Sequence, residues 1–388
     1  MNLNETRESL ISRTAEAFED HYGVGATHAV TAPGRLNVIG EHVDYNDGIV
    51  LPAAIERWFA GVFRKADNPR VRIYDCKLED EADLDPNAEL VAEKGSWMNY
   101  PKGVLAQFQK RGVKIPGFEL AIYSNIPQGG GLSSSAAFEA LIATVVEILA
   151  GIVLEPMEKA LLCQKAEHEY AGVPCGIMDQ AAVIMSKTNK LLQLDCRDLS
   201  VKDVPFTNES LGLMVIDSGV HHELADGEYR KRRESCEQAC RELGIESLRD
   251  SSLEKLHSLT FYDRVTYNRA LHVVSEIERT QMLIEALEQE DYKTVGKCIR
   301  ESHDSLQHLY EVSCPELDFI VSLCNSQPGV YGSRMMGGGF GGSAIVLIEK
   351  QEAETVAEIV EQAYQEKYGL EASIFLTSPA QGVQWDTL

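Results

Sequence analysis

The sequence has no uninterrupted apolar run long enough to span a bilayer. The longest, LIATVVEILAGIVL from Leu141 to Leu154, carries Glu147 near its middle. It falls short of the roughly 20 residues that a spanning helix needs, so a buried helix is expected there. The N-terminal stretch MNLNETRESLISRTAEAFEDHYG mixes charges at helical spacing and lacks the apolar core of a signal peptide, which argues against export. Positive charge is scarce: 36 Lys and Arg stand against 60 Asp and Glu, a formal net charge of −24. Such a field repels the nucleic-acid backbone. A phosphate-bearing ligand then has to be held by local dipoles, metal ions and a few well-placed cations.

A dense cysteine framework is also missing. Nine cysteines, an odd number, are scattered along the chain, as expected of reduced thiols in a cytoplasmic protein. The nearest pair, Cys236 and Cys240, is spaced by one helical turn, but no second close pair completes a zinc site. An ordinary half-buried helix accounts for it. With 13 prolines, no low-complexity tract and no internal repeat, the disordered and fibrous classes are excluded. A length of 388 residues suits two domains, divided near residue 200 into 1–200 and 201–388.

Along the chain, a helix is expected over Glu5 to His21, followed by a β-rich segment, THAVTAPGRLNVIG and GIVLPAAI. Between these lies EHVDYNDG, whose Asn-Asp-Gly ending is turn chemistry, so acidic and imidazole groups fall in a loop between strands. Further strands are expected at Ala60 to Lys65, Val71 to Asp75 and Phe118 to Ser124, and a second helix over Met157 to Ala171. The second half opens with the strand LGLMVIDSG and a charged helix from Asp226 to Glu242. Several helices follow between Leu253 and Ser326, then the strand AIVLIE and a closing helix and strand.

Two glycine clusters stand out. GGGLSSSAA, Gly129 to Ala137, feeds serines into a helix start, where unpaired backbone N–H groups and the positive end of the dipole make an anion site. It has no Gly-Lys-Ser/Thr of a Walker loop and no G-x-G-x-x-G fingerprint. A well-capped helix would look the same. The second, MMGGGFGGSAIVLIE from Met335 to Glu349, suits either a ligand contact or two closely packed backbones. Arg35, Asp179 and Glu167 are candidate charges for phosphoryl transfer, and each could equally be a surface charge or structural ion pair.

The stretches APGRLNVIGEHVDYNDG, PQGGGLSSSAAFEAL and RMMGGGFGGSAIVLI resemble, in order and spacing, the three motifs of the GHMP kinases, and the first resembles that of the galactokinase family in particular. The similarity continues through SWMNYPKGV, CGIMDQ, LDCRDLS, GEYRKRRESCE and SCPELDFIV and covers essentially the whole chain. It implies an α+β fold of two domains, the first of ribosomal-S5-like type, with the active site in the cleft between them. It also implies transfer of the ATP γ-phosphate to the anomeric hydroxyl of α-D-galactose with Mg2+. A related sugar, such as N-acetylgalactosamine, arabinose or galacturonate, is the alternative, and a sugar sensor without catalysis a more distant one. No membrane or obligatory protein partner is implied.

The resemblance also implies roles, residue by residue. Asp179 would be the catalytic carboxylate and Arg35 its orienting cation. Glu41, His42, Val43, Asp44 and Tyr229 would line the sugar site, with Gly338 and Gly339 supporting sugar and phosphate. Gly129, Gly130, Gly131, Leu132, Ser133, Ser134 and Ser135 would wrap the ATP phosphates, with Trp97 near the adenine. Ser135 and Glu167 would hold magnesium. A Glu-His-x-Asp cluster offers acceptors and a donor for sugar hydroxyls. Metal binding by His42 and Asp44 is the rival reading, which lacks another nearby histidine or cysteine. His221 and His222 read as rim or surface groups. Val43, Ala181, the DSGVHH stretch and Ser343 depart from the family's usual residues and are expected on the sugar side.

Overall fold

The computed structural model describes residues 5–388 apart from 128, 222–224 and 259–262, and leaves the side chains at 221, 225 and 226 undescribed. His222 therefore lies outside the described residues. Three sheets organise the described residues. The largest joins β1 (His28–Asn37), β3 (Pro52–Lys65), β4 (Val71–Asp75), β5 (Asp80–Leu84), β6 (Phe118–Ser124) and β13 (Gln384–Thr387) in the order β13-β1-β3-β6-β4-β5. A three-stranded sheet holds β2 (Ile49–Val50), β7 (Lys190–Asp195) and β8 (Val201–Pro205). The third runs β10-β11-β9-β12, from β9 (Leu211–His221), β10 (Val330–Met335), β11 (Gly341–Glu349) and β12 (Ser373–Thr377). With helices packed on these sheets, the architecture is α+β.

β1 is buried at every residue after His28, and β3 along most of its length. Their antiparallel register shifts between Pro33 and Arg35. The irregularity accommodates a proline inside a central strand and re-aims Arg35, two residues on. Gly34 sits at this point because a Cβ would come within 2.9 Å of the Leu132 carbonyl. The bulge thus seats the glycine-serine loop directly: the Arg35 N–H donates to Leu132 O at 3.0 Å.

The apolar run at Leu141 belongs to the helix Ser134–Ala150, buried along most of its length and closed by Gly151 in the left-handed conformation, so its last residues leave the helix earlier than the run suggests. The expected helix over Met157 to Ala171 is α-helical only over Pro156–Ala166 and continues as a π-turn over Glu167–Ala171. Such widened turns recur at functional sites, and this one begins at Glu167. The N-terminal helix runs Arg7–Tyr22, capped by the Thr6 side chain. One long-range feature has no local signal: β13 returns from the end of the chain to pair with β1, with His28 opposite Thr387.

Candidate active site

A cavity of about 380 Å³ opens where β1, the loop after it, the turn 171–176 and the 337–339 glycines meet, a size suited to a small ligand. Asp179, in the first turn of the helix Met178–Met185, reaches into it. Arg35 grips the carboxylate with two bonds, Nε to Oδ1 at 2.9 Å and Nη2 to Oδ2 at 3.0 Å, the bidentate geometry that guanidinium favours. Its third nitrogen donates to the Gly131 carbonyl. Ser133 adds a short bond, Oγ to Oδ2 at 2.5 Å. Ser133 precedes the helix Ser134–Ala150 with φ 58° and makes no capping bond. The serine that a capped helix would use is therefore turned to the carboxylate.

The EHVD segment forms the opposite wall. Glu41 is buried, and its Oε1 accepts from Arg334 Nη2 at 3.0 Å and from the Gly337 N–H at 2.9 Å. Arg334, 0% exposed, also donates to the carbonyls of Asn37, Val38 and Met335. Asp44 meets the backbone of Gly176 so closely that a Cβ there would lie 1.8 Å from Oδ2. Burial, then the neighbouring Asp179 and Glu41 carboxylates, pushes Asp44 up to about 7. His42 is pushed down to about 3, chiefly by burial, and is a neutral imidazole. Tyr229 and Gly337 to Gly339 complete the wall.

Val43 is the exception. It is 0% exposed and packs into the core against Gly48, away from the cavity that its neighbours line, so its side chain has no access to a ligand. Ala181 is likewise core. Two more departures from the family pattern sit elsewhere than expected. Ser343 Oγ donates to the Gly130 carbonyl at 2.7 Å, and the Asp217 carboxylate packs against Gly130 while accepting from the Gly219 N–H at 3.0 Å. Both belong to the phosphate-loop side. In the second glycine cluster, Gly337, Gly338 and Gly339 line the cavity, and Gly339 packs tightly on the Val312 backbone.

In the loop, Gly129 and Gly131 are exposed, whereas Gly130, Leu132 and Ser133 are buried and Ser134 and Ser135 half-buried. Ser135 hydrogen-bonds Glu167, which is also held by Gln180 Nε2 at 2.6 Å. Burial and then Asp179 push the Glu167 carboxylate up. A buried carboxylate beside a second one, with a hydroxyl in reach, is a hard-oxygen donor set that fits magnesium. No group of three His, Cys, Asp or Glu converges among the described residues, so such an ion would draw its remaining ligands from phosphate and water. Trp97 lies outside the sugar-side cavity, its indole N–H on Asp80 and its ring 6.2 Å from Phe138 in the helix that follows the loop. Cys236 and Cys240 are free, and Cys236 contacts the Tyr310 hydroxyl at 3.2 Å.

Sequence reasoning missed Arg334, Gln180, Tyr45 and Tyr310. Arg334 immediately precedes the second glycine cluster, Tyr45 lies inside the EHVDY motif and Gln180 follows Asp179, so adjacency to motifs was the available signal.

A carboxylate clamped by arginine, beside a glycine-serine loop at a helix start, defines a small-molecule phosphotransferase site of the GHMP type. Comparison with known families agrees. Residues 99–187 match the GHMP kinases N terminal domain, 283–366 the GHMP kinases C terminal domain, and 16–65 the galactokinase galactose-binding signature. The chain is 40% identical over 387 residues to galactokinase of Bos taurus, covering 97% of this chain and 96% of that one. It is 39% identical to galactokinase of Thermotoga neapolitana, covering 92% and 99%. The crystal structure of Lactococcus lactis galactokinase complexed with galactose superposes with a TM-score of 0.92 at 32% identity, covering 96% and 99%. Mevalonate kinase of Methanococcus jannaschii shares the fold, with a TM-score of 0.67 at 18% identity, covering 92% and 99%. The chain belongs to the galactokinase family of the GHMP kinases.

Proposed function

We propose that the chain transfers the γ-phosphoryl group of ATP to the anomeric hydroxyl of α-D-galactose, giving galactose 1-phosphate and ADP. The observation that carries this reading is the Asp179 carboxylate, fixed by Arg35 and Ser133 inside a cavity walled by Glu41, His42 and Asp44. Phosphoryl transfer asks mainly for positioning and charge neutralisation, so a carboxylate held in place by arginine suffices to orient the hydroxyl and take its proton as the P–O bond forms. Arg35 then faces the charge that develops on the transferred group. Glu41 and Asp44 offer acceptors and His42 a neutral polar edge to the remaining sugar hydroxyls. The loop Gly129 to Ser135 receives the ATP phosphates, with Trp97 beside the base.

Ser135 and Glu167 would hold magnesium, which supplies charge neutralisation on the phosphates when bound. The nine free cysteines support a cytoplasmic location, and no described helix is long and apolar enough to cross a membrane. A coupled ADP-release assay over a panel of free sugars, with magnesium titrated for the parent and for Glu167→Ala, tests the reading. Galactose should give the highest kcat/KM and the variant should require more magnesium. Faster turnover of N-acetylgalactosamine, arabinose or galacturonate would reassign the substrate.

A further inference from the structure

Behind the sugar wall runs a file of polar groups that the phosphoryl-transfer chemistry does not use. His42 Nδ1 lies 2.8 Å from the Tyr45 hydroxyl, which lies 2.9 Å from the Tyr310 hydroxyl, which lies 3.2 Å from Cys236 Sγ. Asn46 Nδ2 donates to Cys236 Sγ at 3.6 Å and to the His42 carbonyl at 2.9 Å, closing the file into a loop. Every member except Tyr45 is buried. His42 itself holds φ 61°, an uncommon conformation for a residue with a side chain. Its other ring nitrogen, Nε2, is buried with no partner among the described residues.

Each of these groups can point its proton either way, but one end of the file is fixed. The Asn46 amide nitrogen can only donate. If Sγ accepts there, the thiol proton is free to go to Tyr310 Oη, the Tyr310 proton to Tyr45 Oη, and the Tyr45 proton to His42 Nδ1. Every proton then has an acceptor. In the opposite direction the thiol proton has no place in the file. A neutral imidazole that accepts at Nδ1 must carry its proton on Nε2. That polarity suits the surroundings of the ring, the Gly338 backbone and a wall otherwise rich in the acceptors Glu41, Asp44 and Asp179.

We propose that Tyr45 and Tyr310 are positioning residues that fix His42 as its Nε2–H tautomer, so that the imidazole meets the sugar as a hydrogen-bond donor. The proposal rests on the galactose-binding reading of this cavity. The tyrosines touch no substrate; they act through the ring. Losing one hydroxyl of the file removes a single hydrogen bond and with it the bias between tautomers.

Two measurements on the full-length chain test this. Nitrogen NMR of histidine-labelled protein, with the His42 signal identified by its loss in His42→Gln, should show a protonated Nε2 and an unprotonated Nδ1 in the parent. Tyr45→Phe should yield a mixture of the two tautomers. In steady-state assays Tyr45→Phe should lower kcat/KM for galactose by about 3- to 10-fold, chiefly through KM, and Tyr310→Phe by less. Neither tyrosine change should cost anything further in a His42→Gln background, because the route of action is already gone. A parent spectrum with the proton on Nδ1, or a loss on Tyr45→Phe that persists undiminished in the His42→Gln background, overturns the proposal. If the parent does not phosphorylate galactose, the functional reading fails, while the nitrogen spectrum still decides the tautomer.

Discussion

The two sides of the cleft are built on different plans. On the proposed sugar side the wall is made of side chains, each held by a neighbour: Glu41 by Arg334 and Gly337, His42 by Tyr45, Asp44 against Gly176. On the proposed phosphate side the loop offers mostly backbone, with exposed glycines, and is tied down at single points, Gly130 by Ser343 and Gly131 and Leu132 by Arg35. The first plan suits a ligand whose identity lies in the direction of its hydroxyls. The second suits phosphates, which any correctly aimed N–H can serve. Asp179 stands where the two meet, bonded to Arg35 from β1 and to Ser133 from the loop. Substitutions on the two sides should therefore separate cleanly, and those at the junction should not.

The largest effect is expected at that junction. Asp179→Asn should lower turnover by roughly 10²–10⁴-fold with ATP binding largely kept. A folded variant retaining more than about half of the parent rate would reduce Asp179 to a structural part. Next comes the buried support of the sugar side. Arg334→Met leaves the Glu41 carboxylate buried without its cation, and denaturant unfolding should show a loss of about 3–5 kcal/mol. A loss below about 1 kcal/mol would mean that the pair is not what holds the wall.

A smaller change sharpens the contrast from the other side. Ser343→Ala removes one bond to the loop and should raise the KM for ATP by about 2- to 10-fold, leaving the KM for sugar where it was. An equal rise in both would show that the sides are coupled through the loop. The smallest effect concerns pH. Asp44 is raised from the ordinary carboxylate range to about 7 by burial and by Asp179 and Glu41. The folded protein thus holds a proton that the unfolded chain has lost. The stability this gives is complete below the unfolded pKa near 3.8 and disappears as pH rises through about 7. Asp44→Asn, which does not titrate, should gain on the parent between pH 5 and pH 8, by roughly 2–4 °C in Tm. A constant difference across that range would place the Asp44 pKa near its ordinary value.

The sequence was most informative where function is local. The loop EHVDYNDG, the serine loop and CGIMDQ are contiguous stretches whose residue types declare their chemistry, and the helix Ser134–Ala150 declares itself by apolar content. What escaped is what depends on contacts across the fold. Arg334 reaches Glu41 from 293 positions away, and nothing near either residue announces the pair. Ser343 and Asp217 were expected beside the sugar because they lie in segments that depart from the family pattern together, yet strand pairing between β9 and β11 carries both to Gly130. Val43 sits between two cavity residues but, in a turn with His42 at positive φ, its side chain faces the core. Neighbourhood in sequence does not fix direction in a turn. The π-turn at Glu167 was read as plain helix because its composition is helical and its widening is not a composition effect.

The central claim is that the buried side chains of the sugar wall select galactose by its hydroxyl directions, and the most direct test is the ratio of kcat/KM for galactose to that for glucose. The two differ in the direction of a single hydroxyl, at C4. If Glu41, His42 and Asp44 pair the sugar's hydroxyls, the epimer leaves buried groups unpaired, and the ratio should reach roughly 10³ or more. Asp44→Ala should narrow that ratio by lowering galactose turnover, since the loss falls on the preferred sugar. Comparable kcat/KM for the two sugars would contradict the claim, and would mean that this wall, however firmly held, does not read the sugar it faces.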